Sequence, residues 1–260
     1  MKVSDFMNES VNPKHAIDTL KFNIQYRRDH PDEMEVTGLL TFCGAQGEGK
    51  TLSAVNYLKQ LIEFYPKSIL VTNTVIKGLP EDYKVIMYKN LNELIKYFEI
   101  VNNEEYGVIY FIDEIQVLFN ALLKRGMNVE VLEVISQQRK QRKHIVGTAQ
   151  VFMKIDKVFR EQMKNVVICS KKLNCFQWNK LIDGDTLVEE NGKVKYDVKK
   201  YAFWFHQPKM YESYDTYSII SAYREEFKNS VIDTEALNVL MKLYKENKEG
   251  GSDNGLSTNN

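Results

Sequence analysis

Residues 39–51, LLTFCGAQGEGKT, decide the fold of this chain. The first five form a short apolar run typical of a buried strand, and a glycine-rich turn follows directly. From Lys50 to Phe64 the pattern is helical, and Pro66 ends it. Residues 44–51 match G-x-x-x-x-G-K-[ST], in which the backbone N–H groups of a turn surround phosphate oxygens at the start of a helix. The alternative is a tight turn without a ligand, and the position between strand and helix favours the phosphate site.

Each residue of this turn has an expected role toward a nucleotide. Lys50 would place a positive charge on the β- and γ-phosphate oxygens, and the Thr51 hydroxyl would be a ligand of Mg²⁺. Asn179–Asp183 misses the guanine-binding spacing Asn-Lys-x-Asp by one residue, so we expect ATP and not GTP. The predicted cofactors are ATP and Mg²⁺, and the predicted nucleotide-binding residues are Gly44, Ala45, Gln46, Gly47, Glu48, Gly49, Lys50 and Thr51.

A second signature is the apolar run Val108–Ile112, which ends in two carboxylates. We expect Asp113 to hold Mg²⁺ and Glu114 to orient and deprotonate the attacking water, which favours hydrolysis over transfer to another hydroxyl. A later strand, His144–Ala149, ends in Gln150, whose amide could sense the γ-phosphate. The alternatives are two solvated acids at a strand end and a glutamine that merely caps a loop.

Apolar runs alternate with amphipathic segments of helical length along the first two thirds of the chain. This alternation predicts an α/β fold with a mainly parallel sheet and helices on both faces. The predicted strands after Leu39–Cys43 are Ser68–Thr72, Val85–Tyr88, Gly107–Asp113, His144–Ala149 and Val166–Ser170.

The sequence divides into four predicted parts. Residues 1–37 form an N-terminal arm with a helix over 13–28, and residues 38–172 form the core with the phosphate site. Residues 173–247 form a small antiparallel β-rich appendage and a closing helix, with hairpin signals at Asp183-Gly184 and Asn191-Gly192. The Gly-, Ser- and Asn-rich tail, 248–260, is expected to be disordered.

Composition excludes several classes of protein. The 260 residues include 35 Lys+Arg and 35 Asp+Glu, so the whole-chain charge neither favours nor opposes a nucleic-acid partner. Cys43, Cys169 and Cys175 form no C-x-x-C pair, which argues against a zinc knuckle or a secreted disulfide framework. Because the sequence has no signal-peptide pattern and no long apolar stretch, we expect that the protein does not insert into a membrane. We expect it in the cytoplasm, which is the cytoplasm of the host cell if the chain is viral.

The cations are concentrated in residues 139–180, which hold eleven Lys or Arg but only Asp156 and Glu161 as acids. Such a block either lines a DNA channel or is an ordinary solvated surface. A second candidate for DNA contact is the turn Lys124-Arg125-Gly126, which could equally be a helix C-cap. Aromatic residues are dense over 201–217, where strand packing is the simpler interpretation and base stacking the alternative.

Together these motifs carry a family resemblance. The loop at 44–51, the strand ending Ile112-Asp113-Glu114-Ile115-Gln116, and the basic helix and strand that end Thr148-Ala149-Gln150 resemble the FtsK–HerA branch of P-loop motors. Within that branch the sequence is most similar to the zonula occludens toxin-like ATPases of bacteriophages, which serve packaging or extrusion of phage DNA. Two further dipeptides that look like that family are Thr72-Asn73 and Ile155-Asp156.

The resemblance implies a RecA-like core over 38–172 and a homo-oligomeric ring, expected to be a hexamer, with active sites between subunits. Arg139, eleven residues before Gln150, is then the arginine expected to reach the neighbour's γ-phosphate, with Arg142 and Arg160 as alternatives. Catalytic roles are thus expected for Lys50, Glu114, Arg139 and Gln150.

The function that the resemblance implies is ATP-driven DNA translocation, as the genome-packaging ATPase of a bacteriophage. The expected partners are DNA of unassigned strandedness and a portal or capsid component. Members that extrude phage usually carry a transmembrane helix after the core, and none is recognisable here. A membrane-recruited extrusion ATPase and an ATP-dependent switch or scaffold are the alternatives.

Overall fold

The computed structural model describes residues 13–124, 140–152, 155, 157–190 and 193–214. Its helices are α1 (Pro13–Asp29), α2 (Lys50–Phe64), α3 (Leu91–Ile100), α4 (Ile115–Lys124), α5 (Lys157–Arg160) and α6 (Pro208–Tyr211). Its strands are β1 (Gly38–Cys43), β2 (Ile69–Thr72), β3 (Val85–Met87), β4 (Val108–Ile112), β5 (Lys143–Ala149), β6 (Asn165–Lys172), β7 (Phe176–Asp183), β8 (Val188–Glu190), β9 (Lys193–Lys195) and β10 (Val198–Phe205). Short 3₁₀ turns cover Glu104–Tyr106 and Gly184–Thr186.

One mixed sheet organises the fold. Its eight strands follow the order β10-β7-β6-β1-β5-β4-β2-β3. From β6 to β3 every neighbouring pair is parallel, whereas β7 and β10 run antiparallel. The predicted mainly parallel sheet with antiparallel strands at its C-terminal end is confirmed.

Hydrophobic cores lie on both faces of this sheet, because successive strand residues point to opposite sides. On one face Ile109 and Phe111 of β4 pack in a cluster with α2, whose buried residues include Leu58 and Ile62. On the other face Val108, Tyr110 and Ile112 of β4 pack with residues of α3 and α4. Helices therefore cover both faces, as the alternation of apolar runs predicts.

The antiparallel strands extend the main sheet directly. A tight turn joins β6 to β7, and in it Leu173 and Asn174 adopt positive φ. The sequence predicted a hairpin turn at Asp183-Gly184, but a 3₁₀ turn follows β7 there, and β7 pairs with the distant β10. Gly184 is required because a Cβ at this position would lie 1.9 Å from the carbonyl oxygen of Met163.

The other C-terminal expectations have different outcomes. The short strands β8 and β9 pair antiparallel on either side of Asn191-Gly192, and that dipeptide itself lies outside the described residues. The predicted closing helix, the tail, Arg139 and the turn residues Arg125 and Gly126 also lie outside them.

Helix α1 begins at Pro13, within the arm that the sequence predicts. Its side chains from Ile17 to Asp29 are exposed. Across the described part of the chain, every helix is too short or too polar to span a bilayer.

Candidate nucleotide-binding site

The phosphate turn follows β1 at the carboxyl edge of the sheet. Strand β5 lies between β1 and β4, so the ends of these three strands bring Cys43, Ala149 and Ile112 to one edge. In open parallel sheets this edge is where ligands bind. A pocket of about 310 Å³ opens over the turn and is lined in part by Gln46, Lys50 and Thr51.

Glycines give the turn its shape. Gly49 has φ +77° directly before α2, and a Cβ there would lie 2.3 Å from the side-chain oxygen of Gln177. A Cβ on Gly44 would lie 2.7 Å from the carbonyl oxygen of Cys169. Larger residues at these positions would push the turn away from β6 and β7, so the phosphate motif is also a close-packing motif.

Lys50 and Thr51, the first residues of α2, point toward the mouth of the turn. The Lys50 ammonium donates to the carbonyl oxygen of Ala45 at 3.0 Å. The Thr51 hydroxyl donates to Asp113 Oδ1 at 3.3 Å. The two signatures of the sequence, 62 residues apart, therefore meet in one contact.

Asp113 is held by a residue that the sequence motifs gave no role of its own. The Thr148 hydroxyl donates to Asp113 Oδ1 and accepts from the backbone N–H of Glu114, with an N···O distance of 2.9 Å. Burial raises the pKa of Asp113, while the hydrogen bonds from Thr148 and Thr51 oppose that shift. A nearby divalent cation would favour the charged carboxylate.

Glu114 sits in an unusual backbone conformation. Its φ is +55°, a value that non-glycine residues rarely adopt, and its side chain is exposed. Such conformations persist where the surroundings hold them, and here the Thr148 hydroxyl fixes the amide. Glu114 therefore lies two residues beyond β4, with its carboxylate exposed to solvent.

We predict that Thr148→Val destabilises the protein by about 1–3 kcal/mol. The substitution conserves volume but leaves buried Asp113 with one hydroxyl donor, Thr51, in place of two, and the Glu114 N–H without its acceptor. Urea unfolding of the full chain measures the loss, and Thr148→Ser, which keeps the hydroxyl, is the control. Equal stability of the Val and Ser variants would contradict this bridging role.

The donor set at this edge fits Mg²⁺. The Thr51 hydroxyl and the Asp113 carboxylate supply adjacent oxygens, the ligand type that Mg²⁺ prefers, and Mg²⁺ commonly keeps waters and takes the rest of its shell from phosphates. Among the described residues no group of three or more His, Cys, Asp or Glu could hold a metal by itself.

Gln150 follows β5 and is exposed, at the same edge of the sheet as Asp113. Of the two arginine alternatives, Arg142 lies away from this edge. Arg142 precedes β5, at the opposite edge, where its guanidinium binds Glu33 at 2.9 Å and the carbonyl oxygen of Met34 at 3.1 Å. Arg160 is half-buried at the end of α5.

The basic segment is less uniform than its composition suggests. Lys143 is buried in the sheet, and its ammonium donates to the carbonyl oxygen of Phe98. Burial lowers the pKa of Lys143. Its charge is therefore unavailable to DNA, and Arg142 is already paired with Glu33. The exposed cations among the described part of this segment include Lys140, Lys157, Lys164 and Lys172.

Sequence reasoning missed a polar network that anchors the phosphate turn to β7. The fully buried Gln177 amide donates to the carbonyl oxygen of Glu48 at 3.0 Å and to Asn179 at 2.8 Å. Asn179 in turn donates to the Ser53 hydroxyl of α2 at 3.1 Å. The Glu48 carboxylate accepts from the backbone N–H of Lys171 at 2.6 Å. Polar residues alternating on β7 were the available signal.

The chain after β10 crosses the same pocket. His206 bonds the Gln177 side chain at 3.0 Å and the Tyr211 hydroxyl at 2.5 Å. Farther along, Tyr214 forms an antiparallel bridge with Ile76, so this segment spans from β10 to the loop after β2. Burial raises the pKa of Tyr214, as does the negative charge of Asp113. His206, Tyr211 and Tyr214 thus supply an aromatic wall beside the phosphate turn.

Comparison with solved structures finds similarity to the N-terminal domain of zonular occludens toxin from Neisseria meningitidis, with a TM-score of 0.44 and 17% identity. That match covers 68% of this chain and 98% of the other. The genome packaging NTPase of Sulfolobus turreted icosahedral virus 2 in complex with AMPPCP matches with a TM-score of 0.44 and 11% identity, covering 64% and 97% of the two chains. No protein-family model and no curated protein matches the sequence.

Proposed function

We propose that this protein is a Mg²⁺-dependent ATPase that drives DNA translocation, as the genome-packaging motor of a bacteriophage. The observation that supports ATPase activity is the contact between the phosphate turn and the strand that ends in the two carboxylates. Thr51 contacts Asp113, and Thr148 ties Asp113 to the backbone of Glu114. This arrangement supports phosphate binding, a metal ligand and a water-activating carboxylate within one short span.

In this mechanism the turn and Lys50 bind the phosphates and orient the γ-phosphoryl group. Mg²⁺, when bound, neutralises charge that develops on the β- and γ-oxygens. Glu114 takes a proton from the attacking water, and the oxygen of that water bonds to the γ-phosphorus. At the same time the bond between that phosphorus and the bridging oxygen of ADP breaks. Gln150, which follows β5 at the same edge of the sheet, would hydrogen-bond the water or the γ-phosphate.

DNA as the cargo is supported by the motif resemblance and by the exposed cations of the basic segment. Translocation predicts that DNA stimulates ATP turnover. Rates measured with single-stranded and duplex DNA at equal salt test this, because nonspecific binding depends strongly on salt. We expect a higher rate with the cargo form. An unchanged rate with both forms, together with a monomeric protein under all nucleotide conditions, would instead indicate a switch or scaffold.

A homo-oligomeric ring, hexameric by the resemblance, would complete the site. The proposed trans-acting residue is Arg139, since Arg142 is held by Glu33 at the far edge of its own subunit. An arginine that enters from the next subunit stabilises charge on the transferred phosphoryl group.

Mixing two inactive variants tests this arrangement. We predict that Lys50→Ala and Arg139→Ala subunits are each inactive alone and regain part of the ATPase activity when mixed. Some hybrid interfaces would pair an intact Lys50 with an intact Arg139. Normal turnover by Arg139→Ala alone would shift the role to Arg142 or Arg160, and an absence of recovery in rings shown to contain both variants would reject action between subunits.

A further inference from the structure

Five aromatic rings, four of them exposed and one half-buried, form a continuous surface on β7 and β10, which we call the aromatic face. Phe205 is 69% exposed, Phe203 64%, Tyr201 57% and Trp178 37%. Contacting rings have centroids 5.1–6.2 Å apart. The members of the aromatic face are Phe176, Trp178, Tyr201, Phe203 and Phe205.

Strand pairing explains why these rings share a side. Phe203 is opposite Trp178 and Phe205 is opposite Phe176 in the antiparallel register. The alternate residues of β7, Gln177 and Asn179, are buried on the other side, in the network that holds the phosphate turn. Thus one strand carries the turn's anchor on one face and the exposed rings on the other.

Lysines border the aromatic face. Lys172 is exposed and lies opposite Phe176 in the pairing of β6 with β7. Lys180 is half-buried, lies opposite Tyr201, and its ammonium is 5.9 Å from the centre of the Tyr196 ring. Neither lysine forms a salt bridge with another residue of the described chain.

Ring chemistry and charge together favour one occupant. Protein–protein interfaces are rich in aromatic residues but poor in lysine at their centre. Single-stranded nucleic acid offers unpaired bases for the rings and phosphates for the two cations. In a duplex the base faces are already stacked within the helix and only the backbone would be available.

We propose that the aromatic face binds single-stranded nucleic acid, with bases stacked on its rings and phosphates near Lys172 and Lys180. The inference rests on the proposed DNA function and adds the strand form and the contact surface. Lys172 and Lys180 belong to the basic segment, but in this proposal stacking on the rings, and not charge alone, supplies the affinity.

The chain offers an internal reporter for this binding. Its 2 tryptophans are Trp178, on the aromatic face, and Trp204, on the opposite side of β10 beside His206. In a full-length Trp204→Phe protein, Trp178 fluorescence is titrated with single-stranded oligothymidylate and with duplex DNA of the same length, without nucleotide. We expect the single strand to quench the fluorescence and the duplex to bind more weakly without quenching it.

Variants separate stacking from general apolar contact. In that background, Phe203→Ala and Phe205→Ala should each weaken oligothymidylate binding about fivefold or more, which corresponds to loss of one stacked base. Phe203→Leu should weaken oligothymidylate binding as well, whereas Phe203→Tyr, which keeps an aromatic ring, should leave it unchanged. Phe64→Ala, which removes a 73% exposed ring at the end of α2, is the matched control and should leave binding unchanged.

Three outcomes would overturn the proposal: equal quenching by duplex, unchanged affinity in both alanine variants, or binding by Phe203→Leu as tight as by the natural chain. Loss of self-association in Phe203→Ala with unchanged oligothymidylate binding would assign the face to a second copy of the chain. Because the titration needs no ATP, a chain without ATPase activity that still shows these differences would reject the proposed motor and leave the stacking site intact.

Discussion

The Lys50→Ala protein is expected to hydrolyse ATP on the order of 100-fold or more slowly than the natural chain. The lysine is the first residue of α2, and its ammonium donates to the Ala45 carbonyl oxygen at 3.0 Å within the turn. A γ-phosphate would replace that weak neutral acceptor with a charged one, and the charged hydrogen bond is the stronger. Phosphate release measured at saturating ATP and Mg²⁺ gives the ratio.

Lys59→Ala is the matched control, since Lys59 lies on the same helix more than two turns from the phosphate turn. It should retain natural turnover. Among the described residues the Lys50 ammonium is hydrogen-bonded to Ala45 and not to the Gln177 network, so both variants should unfold at similar urea concentrations. Natural turnover by Lys50→Ala would show that the turn is not the ATP site.

The Glu114→Gln protein is expected to bind ATP with nearly natural affinity and to turn it over on the order of 100- to 10,000-fold more slowly. The substitution keeps the shape of the side chain and the backbone N–H that donates to Thr148, so the turn and Asp113 keep their contacts. What it removes is the group that accepts the water's proton. Nucleotide binding measured by calorimetry and single-turnover hydrolysis measured in parallel separate the two effects.

Glu99→Gln, which changes an exposed carboxylate at the end of α3, controls for loss of one negative charge. It should leave both binding and turnover unchanged. If Glu114→Gln reduced ATP affinity and turnover by the same factor, Glu114 would act in binding, and the water-activating base would have to be another residue.

The local features of the site could be predicted from the sequence because they depend on neighbours in the chain. A glycine-rich turn between an apolar strand and a helix is set by backbone sterics within a few residues, and α2 spans Lys50–Phe64 as its periodicity predicts. The strand before Asp113 is buried at every position, which the unbroken apolar run indicates.

The sequence did not reveal which side chains complete the site. Strand order decides that Thr148 on β5 lies between the two signatures, and strand order depends on which apolar faces bury best together. Gln177 contacts Glu48, which lies 129 residues away in the chain. Along β7 polar residues alternate with aromatic ones, and this alternation does not tell which of the two sets is buried. Residue type alone also counted Lys143 among surface charges, although the sheet buries it against Phe98.

The sequence by itself therefore determined the phosphate turn, the paired acids and the class of fold, because these are encoded by spacing and periodicity within short segments. Only the tertiary structure decided how the turn is anchored, how Asp113 is held and which aromatic rings of β7 and β10 remain exposed. Those features arise from contacts between segments far apart in the chain. Their energies depend on burial and register, which no local pattern specifies.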